Sequence, residues 1–95
     1  MSFVLVTRHK VDDYAKWKSE FDGNTAMRKD AGEKSYKIFQ TDNDTNDLVI
    51  LFEWDNLDNA RKFMQSNELR EKMKKAGVIS EPDKYFLKEV ERGSM

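Results

Sequence analysis

Between Leu48 and Trp54 the chain alternates in a way that leaves neither side polar. A strand there points Leu48, Ile50, Phe52 and Trp54 to one face and Val49 and Leu51 to the other. The period of two also marks residues 3–10, 34–40 and 84–91 as strands, with the strand through Leu48 and Trp54 covering 47–54. Elsewhere the spacing is helical. Tyr14, Trp17 and Phe21 fall on one stripe, preceded by Asp12 and Asp13, which suit an N-cap and a first turn. Gly23-Asn24 interrupts that helix, Met27 and Ala31 resume it, and Gly32 supplies a left-handed stop. Leu57, Ala60, Phe63 and Met64 make a second stripe, with Asp55 or Asn56 at its cap. Ser66-Asn67 breaks it, and Leu69, Met73 and Ala76 carry it on to Gly77. Pro82 bars further helix, and the polar run 41–46 reads as the turn of a hairpin.

The order is β-α-β-β-α-β, the ferredoxin-like split arrangement of the α+β class, with an interruption in each helix. Right-handed crossovers place the strands 4-1-3-2, all neighbours antiparallel. The simplest register aligns Tyr85, His9, Leu48 and Gln40. The next rows are Leu87, Thr7, Ile50 and Ile38, then Glu89, Leu5, Phe52 and Tyr36, with Phe3 and Trp54 beyond. This bulkier, more aromatic face is assigned to the helices. The other face mixes aliphatic residues with charges: Val4, Val6, Arg8, Lys37, Phe39, Val49, Leu51, Glu53, Phe86, Lys88 and Val90. A chain of 95 residues has helices for one face only, so a homodimer through the second is expected. A one-residue slip would exchange the faces of any strand.

Composition narrows the function classes. Residues 1–91 read as one domain and 92–95 as a disordered tail. The 17 basic and 18 acidic groups nearly cancel, so no nucleic-acid role is expected. With no cysteine, disulfides, thiolate catalysis and cysteine metal sites drop out, and a cytoplasmic setting fits. The N-terminal segment reads as neither signal peptide nor membrane span. One histidine and no glycine-rich loop argue for no metal, no phosphate loop and no cofactor. Arg61, Lys62, Arg70, Lys72, Lys74 and Lys75 alternate with Asp58, Glu68 and Glu71, which reads as a solvated helical face.

His9 is the one histidine, on the helix-facing side of the first strand. An imidazole can serve as general acid or base near neutral pH. With Tyr85 as its cross-strand neighbour, and Tyr14 and Gln40 close by, it could bind and deprotonate a phenol or enol. The same residue reads also as a core histidine tied to a tyrosine hydroxyl or a backbone carbonyl, the usual role of a lone polar residue in a strand. Trp54 lies roughly 20 Å along the sheet from His9 and reads as a lid residue where the third strand meets the next helix. Trp17 reads first as core packing.

Several segments carry a family resemblance. They are Arg8-His9-Lys10-Val11, Asp13-Tyr14-Ala15-Lys16-Trp17-Lys18, Met27-Arg28-Lys29-Asp30-Ala31-Gly32 and Ser35-Tyr36. Later come Phe52-Glu53-Trp54-Asp55, Glu68-Leu69-Arg70-Glu71-Lys72-Met73, Ala76-Gly77-Val78 and Pro82-Asp83-Lys84-Tyr85-Phe86. Together they span nearly the whole chain, which resembles the dimeric α/β-barrel superfamily of antibiotic-biosynthesis-monooxygenase-like and polyketide-cyclase-like proteins. The resemblance implies two sheets packed face to face and a pocket between sheet and helices in each protomer. It implies cofactor-free oxygenation or cyclisation of aromatic, polyketide-like compounds. Haem-degrading members use a histidine on a helix, and neither helix here carries one.

The expectation is therefore a small-molecule-binding homodimer, a cofactor-free monooxygenase or cyclase. His9 would be the general base and Tyr85 its hydrogen-bond partner, with Tyr14, Tyr36, Gln40, Thr7 and Trp17 as pocket lining. The alternative is a non-catalytic ligand-binding or stress-related dimer with a structural His9.

Overall fold

The computed structural model describes residues 2–95. Its elements run β1 (Phe3–Lys10), α1 (Tyr14–Gly23), α2 (Thr25–Ala31), β2 (Glu33–Thr41), β3 (Asp44–Trp54), α3 (Leu57–Met64), α4 (Asn67–Lys75) and β4 (Asp83–Lys88). The sheet is antiparallel in the order β2-β3-β1-β4, a ferredoxin-like α+β fold in which each crossover holds two helices. Among the described residues no helix is long and apolar enough to cross a membrane.

Helix starts follow local capping chemistry. The Asp13 carboxylate accepts from the amides of Ala15 and Lys16, the Asn56 side chain from Asn59, and the Ser66 hydroxyl from Leu69. Each satisfies an amide that the first turn leaves without a partner. Gly77 ends the α4 segment at φ 86°, where a side chain would run into the Asp12 carboxylate. That close approach lets the Gly77 carbonyl accept from the Asp12 amide and ties α4 to the end of β1.

Three strands pair in the expected register. His9 lies opposite Leu48, Thr7 opposite Ile50 and Leu5 opposite Phe52. Gln40, Ile38 and Tyr36 lie opposite Leu48, Ile50 and Phe52. The hairpin is tighter than the polar run implies, since β3 begins at Asp44 and only Asp42 and Asn43 remain in the turn.

The fourth strand departs from expectation. Tyr85 pairs with Val6, Phe86 with Leu5 and Leu87 with Val4, so Tyr85 is not the neighbour of His9. The cause lies just upstream. Val78 bridges Val11, the Ile79 amide donates to the Lys10 carbonyl, and the Lys10 amide donates to the Ser80 hydroxyl. Residues 78–80 thus occupy the end of β1, and β4 begins only opposite Arg8. The displacement is an odd number of residues, so the strand's faces exchange. Phe86 turns toward the helices, and Tyr85 and Leu87 turn outward, 56% and 46% exposed.

The core lies between the sheet and the helices. Leu5, Leu48, Ile50, Phe52 and Trp54 from the strands meet Trp17, Phe21, Ala60 and Ala76. Trp54 is 1% exposed and packs on Phe63 at 5.3 Å between ring centroids, which makes it a core residue and not the expected lid.

Candidate functional site

A cavity of about 70 Å³ remains between the sheet and the helices. Thr7 and His9 of β1, Ile50 and Phe52 of β3, and Trp17 and Phe21 of α1 line its floor and one wall. Met64, Met73 and Pro82 close another side, and Asn24, Arg28 and Lys72 bring polar groups to it. The free space exceeds the 10–15 Å³ or so that one water needs, and the lining is mostly apolar.

His9 is 4% exposed, and its Nδ1 is buried without a hydrogen-bond partner among the described residues. Its ring meets the edge of Trp17 at 5.8 Å and 89°. Burial pushes the imidazole below its ordinary pKa of 6.5, and the nearby Asp47 opposes this only in part. The ring is therefore neutral at pH 7, with one nitrogen able to accept a proton.

An aromatic ladder leads away from His9. Trp17 stacks on Phe21 at 4.8 Å, and the Arg28 guanidinium lies 3.6 Å from the Phe21 centroid. Arg28 is 4% exposed; its Nε donates to Glu33 at 3.1 Å and its Nη1 to the Phe21 carbonyl. Arg28 Nη2 and Glu33 Oε1 are buried without partners. Burial raises the Glu33 carboxyl above its ordinary pKa, against the opposing pull of Arg28. Lys72 Nζ donates to Asn24 Oδ1 at 3.0 Å, joining α4 to the kink between α1 and α2.

The residues expected at the site divide. His9, Thr7 and Trp17 line the cavity. Tyr14 packs on Trp17 at 6.0 Å, one step from it. Tyr36 packs edge-on against Phe21 and is 41% exposed, outside the cavity lining. Gln40 is exposed and donates to the Thr45 carbonyl across the hairpin. Tyr85 sits on the opposite face of the sheet. Arg28, Asn24 and Lys72 were missed. Arg28 had a signal: it lies seven residues past Phe21, on the Tyr14-Trp17-Phe21 stripe, with an acid five residues further on. Among the described residues no three His, Asp or Glu side chains gather as metal ligands.

No protein-family profile and no curated protein sequence matches the chain. Solved structures do. A Bordetella bronchiseptica protein assigned as an antibiotic biosynthesis monooxygenase superposes with TM-score 0.77 at 15% identity, over 94% of this chain and 97% of that one. SnoaB, a cofactor-independent oxygenase from Streptomyces nogalater, gives 0.69 at 17%, over 94% and 95%. The ActVA-Orf6 monooxygenase of Streptomyces coelicolor, solved with nanaomycin D, gives 0.65 at 22%, over 99% and 90%. At these identities the likeness is one of fold: the chain is similar in architecture, end to end, to the antibiotic-biosynthesis-monooxygenase-like proteins.

Proposed function

We propose that the chain is a small-molecule-binding homodimer whose inner cavity takes a small aromatic, polyketide-like compound and oxygenates it without a cofactor. The observation that carries this reading is the buried His9, its Nδ1 without a partner, in the lining of a cavity of aromatic and aliphatic side chains. An orphaned polar atom costs free energy unless a ligand or water restores its hydrogen bond. A phenolic or enolic hydroxyl would do so, and a neutral imidazole can take its proton. The fold shared with SnoaB, a cofactor-independent oxygenase, supports the chemistry.

The step balances with dioxygen alone. His9 removes a proton from an acidic ring position, and the resulting anion is electron-rich enough to reduce O₂. A hydroperoxide forms on the ring carbon. Loss of water, with His9 returning the proton, leaves a carbonyl, so CH₂ and O₂ become C=O and H₂O.

A second reading keeps the ligand and drops turnover. The small cavity and the edge-on packing of His9 against Trp17 favour a structural imidazole. Wild type and His9→Gln, each mixed with anthrone, separate the two. Thermal shift reads binding, and an oxygen electrode reads turnover. Catalysis predicts stabilisation of wild type with oxygen uptake and anthraquinone formation, and no uptake above background in the variant. Stabilisation without uptake in either protein would overturn the oxygenase and leave the binding dimer.

A further inference from the structure

A second cleft lies beside the inner cavity. It holds about 310 Å³ and is bounded by Arg70, Lys74 and Lys84, with Glu81 among them. Met64, Met73 and Pro82 line both spaces, so the two adjoin along these side chains. Two of those three are methionines, unbranched side chains that repack at little cost.

The charges of this cleft are unusual for the chain. Three cations face one acid in a protein of net charge −1. All three are exposed, and none enters an ion pair among the described residues. Arg70 and Lys74 are four apart on α4, where like charges repel. The helix dipole accounts for Lys74, in the last turn. It does not account for Arg70, or for Lys84, which β4 brings from the other side. An anion held among them would relieve the repulsion, and the arginine fork suits a carboxylate.

We propose that the ligand of the inner cavity carries a carboxylate on a short tail, and that this carboxylate lies in the cleft between Arg70, Lys74 and Lys84. The proposal rests on the reading of the inner cavity as an aromatic-binding site. It adds the ligand's charge and direction: the ring system lies against Trp17 and Phe21, and the tail leaves past Met64, Met73 and Pro82.

Titration calorimetry of the full chain with a naphthol bearing a butanoate tail, and with its methyl ester, tests this. At low salt the acid binds about fivefold to tenfold more tightly than the ester, the scale expected of exposed ion pairs acting together. Added salt shrinks the preference. The variant Arg70→Gln/Lys74→Gln/Lys84→Gln alters only exposed side chains; it loses the preference and keeps the ester's affinity. Equal binding of acid and ester by wild type overturns the cleft alone. A preference that survives the triple substitution does the same. If neither compound binds, the aromatic-site reading fails, and the cleft falls with it.

Discussion

The two faces of the sheet hold their charges differently. Under the helices, Arg28 and Glu33 pair with side chains only 4% and 6% exposed, and each keeps one buried atom without a partner. On the outer face Arg8 forks onto Asp47 at 2.7 and 3.2 Å, and the arginine is 56% exposed. The arginine of the outer pair reaches water, while its carboxylate is only 9% exposed and has both oxygens bonded to Arg8. The inner pair has only the protein and whatever enters the cavity. Apolar groups show the reverse: Leu48 and Ile50 are sealed, while Phe39, Tyr85 and Leu87 on the outer face stand about half exposed. One face is closed but incomplete in its polar contacts. The other is complete in its polar contacts but open.

Breaking the ion pairs gives the largest contrast. Arg28→Leu strands the Glu33 carboxylate in the core and removes the donor to the Phe21 carbonyl. A loss of about 3–5 kcal/mol in urea unfolding is expected. Arg28→Leu/Glu33→Leu should recover much of it, because no unpaired charge then remains. Arg8→Leu removes both bonds to Asp47, whose side chain is 9% exposed but lies on the sheet face that no helix covers, and should move the unfolding midpoint less. Equal losses from the two single variants would remove the distinction between the faces.

The open face is sharpened by association. Val6 and Leu51 are cross-strand partners on it, next to Val4 and Val49. The proposed homodimer should sediment at twice the chain's 11.2 kDa, and Val6→Lys/Leu51→Lys should sediment as a folded monomer. A wild type that sediments as a monomer would end the idea that a second copy covers this face.

Proton binding by His9 gives a smaller, graded effect. Its folded pKa lies below 6.5, so the unfolded chain takes up the proton first as pH falls. Stability from this residue is therefore full above about pH 6.5 and declines as pH drops toward the folded value. Urea midpoints at pH 7 and pH 5 should differ more in wild type than in His9→Gln. Glu33, displaced upward, contributes with the opposite sign, but equally in both proteins. Identical pH slopes would mean that His9 is not held neutral by burial.

Much of the fold was legible because alternation and capping are local. Leu48 to Trp54 and Phe3 to Lys10 set three strands in register, since each had one face too apolar to turn outward. Gly23-Asn24 and Ser66-Asn67 marked both helix breaks for the same local reason. β4 was not legible. Its two faces are similarly mixed, and its register is imposed by the 78–80 segment lying along Lys10 and Val11. The site inherits that difference. His9, Thr7 and Trp17 follow from the secure rows, while Tyr85 went with the displaced strand. Arg28 stayed hidden because a cation on a helix is normally solvated, and its seven-residue spacing from Phe21 runs across the Gly23-Asn24 break. Only the packing of α2 over Phe21, with Glu33 entering from β2, makes it an interior residue.

The smallest expected effect is the one that separates the two registers. If Tyr85 stood beside His9, Tyr85→Phe would remove the hydroxyl that holds the base and weaken binding of a phenolic ligand. In the observed register the hydroxyl lies on the opposite face, across the sheet from the cavity. Affinity for a naphthol should then change by no more than about twofold, the scale of a surface substitution. Thr7→Val at the cavity floor provides the matched inner control, because it alters one polar group of the lining while keeping its shape. A larger loss from Tyr85→Phe than from Thr7→Val would mean that the outer face reaches the ligand, either by a shift of β4 or through a second copy of the chain.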